Sequence, residues 1–297
     1  MYIDFLKYRK IYYIFSGILL ISSLIFVLAF GLKLGIDFTG GSIMELEFQD
    51  GPPSNEIIEK KLADLNLGEV VLQPTGEKGM ILRLKHIDGQ THEAILERLE
   101  GAKEQSFEAI GPTIGKELTR KTEIAATLAL LAIASYIAFA FRRLSYPAKS
   151  WQYGIATLIA LFHDLLIPLG VFVVLGKFYN VEITIPLVAA LLTILGFSVH
   201  DTIVVFDRIR ENLLKRSSAS FEEAVNQSLN QTLVRSINTV LTVLLTLFAL
   251  YFFGGESLKY FALALIVGII SGAYSSIFIA SPLIVSWVKW KEGGRRR

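Results

Sequence analysis

The sequence predicts a polytopic α-helical membrane protein: six transmembrane helices, with one extracytoplasmic α+β domain of ferredoxin-like type between helices 1 and 2. Three observations predict it. Hydrophobic residues fill 53% of the 297 positions, and a mean hydropathy of +0.51 is too high for an ordinary soluble domain. Six apolar stretches reach about the 20 residues that a helix rising 1.5 Å per residue needs to cross hydrocarbon. Between the first two stretches lies a segment of soluble composition, residues 33–120, too long for a loop without structure of its own.

The spans fall near 11–31, 122–141, 152–175, 183–206, 233–253 and 260–285. The first is longer than the apolar core of a signal peptide and has no small-x-small site before Gly31, so it reads as a retained anchor. Lys and Arg in short flanks mark the cytoplasmic side. Lys7, Arg9 and Lys10 precede the first span, and Arg142, Arg143 and Lys149 separate the second from the third. Arg208, Arg210, Lys215 and Arg216 follow the fourth, while Lys289, Lys291 and residues 295–297 form a basic tail. The opposite short loops carry only Lys177 and Lys259, so both termini are expected inside. The organisation is therefore 1–32 for the N-terminus and first span, 33–120 for the external domain, 121–288 for the remaining five spans with a cytoplasmic segment at 207–232, and 289–297 for the tail. Topology accounts for the basic residues of a chain with net charge +2, which leaves no reason to invoke nucleic acid. The absence of cysteine excludes disulfide and thiol chemistry.

Within the external domain, 42–48, 69–73, 80–85 and 105–110 read as strands. Helices begin at Ser54, with Ile57, Ile58, Leu62 and Leu65 at helical spacing, and at Thr91. The order strand, helix, strand, strand, helix, strand is ferredoxin-like. His86 and His92 read as isolated, solvated surface histidines, and no metal site is expected. The segment 220–231 opens with a capping box and carries Phe221, Ala224, Val225 and Leu229 at helical spacing. It reads as an amphipathic helix along the inner surface, or else as a lead-in to the fifth span.

Chemistry concentrates in the spans. Asp201 is a carboxylate inside an apolar run, and an acid at that depth faces a partner, an aqueous cavity or a proton path. Arg235 opens the next run, and an antiparallel helix pair would bring the two to comparable depth. The pair is either a proton switch or a static tie between helices. Thr239, Thr242 and Thr246 share a helix face with Arg235 and either line a hydrated path or bond the preceding turn's carbonyls. His163 and Asp164 lie mid-span, open between proton relay and structural hydrogen bonding. Gly268, Ser271, Gly272, Ser275 and Ser276 form a small-residue face for close packing on an unspecified helix.

Asp37-Phe38-Thr39-Gly40-Gly41 reads as an Asp and paired glycines making a tight turn into the first strand. Together with residues 160–170, the run Gly196-Phe-Ser-Val-His200-Asp201-Thr-Ile-Val-Val-Phe-Asp207-Arg208-Ile-Arg-Glu-Asn212 and Arg235-Ser-Ile-Asn-Thr239, it resembles the SecF family of protein-export membrane subunits, across essentially the whole chain. One departure is His200, where many members place Asn. Histidine titrates near neutrality and asparagine does not. The resemblance implies a resistance-nodulation-division half-unit in the bacterial plasma (inner) membrane that SecD completes as the SecDF complex. It implies work beside the SecYEG channel and SecA, with YajC a further associate, on preprotein emerging outside, driven by the proton gradient. It implies proton coupling at Asp201 and Arg235; His200, by its departure from the family, and the mid-span His163 and Asp164 are further candidates from their own chemistry. No cofactor is implied, and no Gly-rich ATP loop is present. A self-sufficient exporter of small molecules or lipids would need both halves and a larger external domain. An intramembrane hydrolase would need a serine with a positioned base, and adjacent His-Asp residues on one helix make poor triad geometry.

Overall fold

The computed structural model describes residues 2–140, 142, 147–215, 218 and 220–295, so Arg143, Arg216, Arg296 and Arg297 of the basic flanks lie outside the described residues. The chain divides into two compact units, one of Met1–Leu32, Ala125–Phe178 and Pro186–Arg297, the other of Lys33–Ile124 and Tyr179–Ile185.

Among the described residues six helices are long and apolar enough to span a membrane. The first, α1 (Arg9–Phe30), stops at Gly31, whose φ of 70° breaks the helix while its N–H donates to Val27 O at 3.0 Å. After a short α2 (Ile36–Thr39), the strands β1 (Gly41–Phe48), β2 (Val71–Thr75), β3 (Gly79–Leu84) and β4 (Ala102–Ile110) and helices α3 (Asn55–Leu62) and α4 (Gly89–Arg98) build the second unit. The second span, α5 (Pro112–Ala140), opens on a proline, which has no N–H to leave unsatisfied in the first turn. Then come α6 (Ser150–Tyr179), α7 (Ile185–Leu214) and α8 (Phe221–Phe253). The sixth span runs through α9 (Glu256–Ser275), a π turn at Ser276–Ala280, and α10 (Ser281–Arg295). At the π turn Ser281 Oγ donates to Ser276 O at 3.0 Å, five residues back, which satisfies a carbonyl that the widened turn frees.

Ser220 Oγ accepts from Glu223 N–H at 3.1 Å, as the capping box predicts. The segment it starts is not a separate surface helix. It is the first part of a continuous α8, because Val225 and Leu229 bury into one core with Phe5, Leu6, Ile284, Val285 and Val288. Two asparagines on that part hold the N-terminus. Asn226 Oδ1 accepts from Phe5 N–H, Asn230 Oδ1 accepts from Ile3 N–H, both at 2.9 Å, and both amides donate back to Ile3 O.

The second unit is a four-stranded antiparallel sheet of order β2-β3-β1-β4 with its helices on one face, the ferredoxin-like arrangement. Alternation puts Met44, Leu46 and Phe48 of β1 under Ile58 and Leu62 of α3, Ile95 of α4 and Leu99 just after it. β2 extends past its expected end through Pro74, tolerated because β2 is an edge strand. α4 starts two residues ahead of Thr91, because Asp88 is the cap, its Oδ1 accepting from Thr91 N–H at 2.9 Å. That bond holds the Asp88 carboxyl below the usual aspartate range. His92 is not isolated: its Nε2 pairs with Glu104 Oε2 at 2.7 Å and its ring lies 4.2 Å from that of Phe107.

Residues 179–185 belong to this unit as a strap. Leu34 bridges Ile183 in parallel, Gly35 N–H donates to Ile183 O at 2.8 Å, and Ile183 N–H donates to Lys33 O at 2.7 Å. Glu182 adds an ion pair to Arg83 at 3.3 Å.

Candidate functional site

Ser198, Asp201, Thr202 and Val205 are buried on α7 at steps of three, one and three residues, one helix face turned into the bundle. Asp201 is 8% exposed. Its Oδ1 accepts from Ser236 Oγ of α8 at 2.7 Å, while its Oδ2 is buried with no hydrogen-bond partner among the described residues. Ser276 of the π turn is near enough to interact with the carboxylate, but its hydroxyl pairs with Thr202 Oγ1 at 2.8 Å and Gly272 O at 3.0 Å. The outcome is a carboxylate with one oxygen satisfied and one empty.

Arg235 reaches the expected depth but makes no ion pair with Asp201 among the described residues. Successive residues on a helix point about 100° apart, so placing Ser236 against α7 turns Arg235 away, and it is exposed. Thr239, Thr242 and Thr246 share its exposed side. Thr242 Oγ1 donates to Thr239 O at 2.9 Å and Thr246 Oγ1 to Thr242 O at 3.3 Å, so these two hydroxyls are spent within their own helix. On α7 the exposed positions include Gly196 and His200, and a Cβ at Gly196 would meet open space. Thus α7 and α8 each combine a packed polar face with an uncovered one.

Asp164 is fully buried and accepts four hydrogen bonds. Oδ1 receives His163 Nδ1 at 2.8 Å and Ser271 Oγ at 3.0 Å, and Oδ2 receives Ser198 Oγ at 2.5 Å and Ser275 Oγ at 2.6 Å. The small-residue face therefore packs on α7 and α6. A Cβ at Gly272 would come within 3.2 Å of Ser198 Cβ and 3.6 Å of Asp164 Oδ2, and one at Gly268 would collide with Ile194. The close approach that glycine allows is what brings the serines to the carboxylate.

Toward the far end of α7 the motif residues work locally. Asp207 pairs with Arg210 at 3.0 Å, Arg208 donates to Gln231 at 2.6 Å and Glu211 at 2.5 Å, and buried Asn212 donates to Ser228 at 2.8 Å. In the α+β unit Asp37 Oδ2 accepts from the N–H of Ile185, first residue of α7, at 2.8 Å. Phe38 O accepts from Thr119 Oγ1 at 3.4 Å and Thr39 Oγ1 donates to Gly35 O at 3.0 Å. Gly40, with φ of 74°, sits where a Cβ would lie 2.9 Å from Pro112 Cα, so both its conformation and its space require glycine. Among the described residues no group of three His, Asp or Glu side chains is placed to hold a metal.

A family model described as protein export membrane protein SecD/SecF, C-terminal, matches residues 91–290, and the SecD/SecF GG motif matches 25–51. The chain belongs to the SecD/SecF family. Relatives named protein translocase subunit SecF bear out that placement along the length of the chain. That of Thermobaculum terrenum is 46% identical over 96% of this chain and 94% of its own, and that of Synechocystis 36% identical over 98% and 96%. The crystal structure of the translocon-associated membrane protein SecDF from Thermus thermophilus superposes with a TM-score of 0.83 at 34% identity, over 97% of this chain. SecDF in its super-membrane-facing form gives a TM-score of 0.71 at 35% identity. The chain spans only about two fifths of those SecDF chains, 39% and 40%. Both SecD/SecF matches include residues of the site, the GG motif taking in Asp37 to Gly41 and the C-terminal model Asp164, Asp201 and Arg235. Sequence reasoning found the two aspartates but missed Ser198 and Ser236 as their partners. The available signal was a serine at the next position after Arg235 and another three residues before Asp201.

Proposed function

We propose that the chain is the SecF subunit of a Sec protein-export machine, a transport component rather than an enzyme, which with SecD converts the proton gradient into late, outer-side steps of preprotein translocation. The observation that carries the reading is Asp201: a buried carboxylate with Oδ2 unpartnered, one residue out of phase with a membrane-embedded Arg235 that faces outward. An exposed guanidinium and an exposed His200 at membrane depth are unfavourable against lipid, and a second half-unit, SecD, would cover them. The relatives' name and the SecDF structures support that partner.

In the mechanism, a proton adds to Oδ2, the negative charge vanishes, and the attraction between Asp201 and Arg235 is lost. Helix arrangements that differ in this attraction change population, and access to Oδ2 from opposite sides would make the cycle directional. One charge moved through 100 mV yields ~2.3 kcal/mol, enough to shift a conformational equilibrium and too little to unfold a domain. His163 and His200 belong to the same coupling route, with Asp164 as the carboxylate that His163 contacts. SecYEG with SecA, and YajC, are the expected neighbours in the plasma (inner) membrane, with both termini cytoplasmic and 33–120 outside contacting preprotein.

The test is proton-gradient-dependent release of a preprotein from spheroplasts. Asp201→Asn is expected to abolish the gradient-dependent part while leaving insertion and co-purification with SecD intact. Release that persists at the wild-type rate, with the gradient still required, would remove Asp201 from the mechanism. Orientation is checked by a membrane-impermeant thiol reagent, which should label Glu77→Cys in intact spheroplasts and reach Lys215→Cys only after permeation.

A further inference from the structure

His163 and Asp164 are 1% and 0% exposed, the most deeply buried ionisable neighbours in the spans. Their hydrogen bonds differ in a way that assigns their roles. With Asp164 as a carboxylate, the 2.8 Å contact calls for a hydrogen on Nδ1, which also lies 3.4 Å from Ser271 Oγ. Each carboxylate oxygen has two lone-pair sites, and on Asp164 all four are filled by His163 Nδ1, Ser271, Ser198 and Ser275. Ser275 has a second acceptor in Gly272 O at 3.1 Å, but the carboxyl oxygen is closer, at 2.6 Å. The one atom of the pair with a vacant lone pair is His163 Nε2, which is buried and has no hydrogen-bond partner among the described residues.

We propose that His163 Nε2 is the proton-accepting atom of α6, and that Asp164 is a fixed countercharge that does not itself take the proton. In the step, a proton adds to the Nε2 lone pair and the imidazole becomes imidazolium. Nδ1–H stays on Asp164, no covalent bond breaks, and the same proton leaves from Nε2. The groups facing the pair are consistent with this. From α9 come Ser271 and the ring of Tyr274, stacked 6.1 Å from the imidazole, with the Tyr274 hydroxyl 3.4 Å from Ser16 Oγ of α1. From α7 comes Ser198, while Asp201, three residues on, is engaged with Ser236. Among the described residues Asp164 is thus the single carboxylate touching the imidazole, and the serine cage keeps it in place through both charge states. The proposal rests on the proton-driven reading and assigns a second proton position within it.

The experiment uses the full chain in complex with SecD, read by proton uptake on an acid jump and by infrared difference spectra. His163→Asn keeps a side-chain N–H at the δ position for Asp164 and removes Nε2. It is expected to co-purify with SecD, take up one proton fewer per chain, and lose an imidazole-to-imidazolium band pair that Asp201→Asn retains. Unchanged uptake and unchanged ring bands in His163→Asn would overturn the assignment. So would a protonated-carboxyl band that survives Asp201→Asn and disappears in Asp164→Asn. If His163→Asn does not assemble, isotopically ring-labelled histidine in a chain with His86, His92 and His200 replaced reads the same proton with His163 in place, and a ring that fails to titrate overturns the proposal. Export that needs no gradient while His163 still titrates would instead sink the proton-driven function and leave this assignment standing.

Discussion

Asp164 and Asp201 are the same residue type on adjacent helices, both buried among serines, yet among the described residues one accepts from four donors and the other from one. Asp164 is enclosed because Gly268 and Gly272 let α9 press against α7 and α6, which delivers Ser271 and Ser275 to it. Asp201 sits beside the π turn, where Ser276 bonds Thr202 and leaves Oδ2 bare. A filled cage makes a carboxylate part of the architecture, whereas a vacant oxygen leaves it free to change state. The two are equally buried in kind and differ in how many hydrogen bonds they accept, and that difference is what the proposed switch at Asp201 rests on.

The largest expected effect is on Asp164. Asp164→Ala strips the acceptor from three hydroxyls and an imidazole N–H at once, and at about 1–3 kcal/mol per buried unsatisfied group the loss should exceed about 3 kcal/mol. Thermal unfolding of the purified chain in mild detergent reads it. Asp201→Asn keeps an acceptor for Ser236 and should cost less than about 1 kcal/mol in the same assay. Equal destabilisation by the two would erase the distinction between cage and switch.

Next in size is Gly268→Val. Its side chain would meet Ile194 and force α9 from α7, and overpacking of this kind costs about 1–3 kcal/mol. It should weaken the Asp164 cage before the Asp201 site, visible as earlier loss of the His163 ring signature. Asp37→Ala removes the carboxylate that accepts from Ile185 N–H and should cost roughly 1 kcal/mol, the usual worth of a helix cap, with Asp37→Asn recovering most of it.

The smallest effect is a pH dependence in the α+β unit. Burial raises the Glu182 carboxyl above the usual range, against the pull of Arg83 and Lys33. Its contribution to stability is therefore complete below the ordinary glutamate range and is lost as pH rises through the raised value. Asp88 has the opposite sign: its contribution is present above the ordinary aspartate range and lost as pH falls through the lowered value. Glu182→Gln should flatten the first slope and leave the second, as followed by hydrogen exchange of strap amides such as that of Ile183.

Much of this was legible in the residues. Apolar length located the spans, period-two alternation gave β1, and a lone acid in an apolar run singled out Asp201. Other features depend on a single residue's rotation or on partners distant in sequence. Nothing local distinguishes Arg235 from Ser236 as the residue that faces α7, since that is settled by which side of α8 packs. Ser198, Ser271 and Ser275 look like packing residues because they are packing residues, and their hydrogen bonds to Asp164 arise only when three helices meet. The strap at 179–185 lies roughly a hundred residues or more from Arg83 and Leu34, and it is held mainly by backbone bonds, which leave little trace in side-chain identity. The π turn at Ser276–Ala280 is likewise unmarked by any residue pattern, and the Ser281 Oγ bond to Ser276 O that accompanies it is seen only in the structure.

The central claim is that Asp201 and Arg235 act as a proton-controlled pair and not as a tie between helices. The measurement that tests it most directly is gradient-dependent preprotein release from spheroplasts, normalised to membrane protein level, for Asp201→Asn, Arg235→Met and the double variant. The account predicts that all three are inactive while each still co-purifies with SecD, because Asp201→Asn removes the group that ionises and Arg235→Met removes the charge that senses it. Restoration of full export in the double variant would contradict it, and would leave Asp201 and Arg235 as a structural pair whose charges matter only to each other.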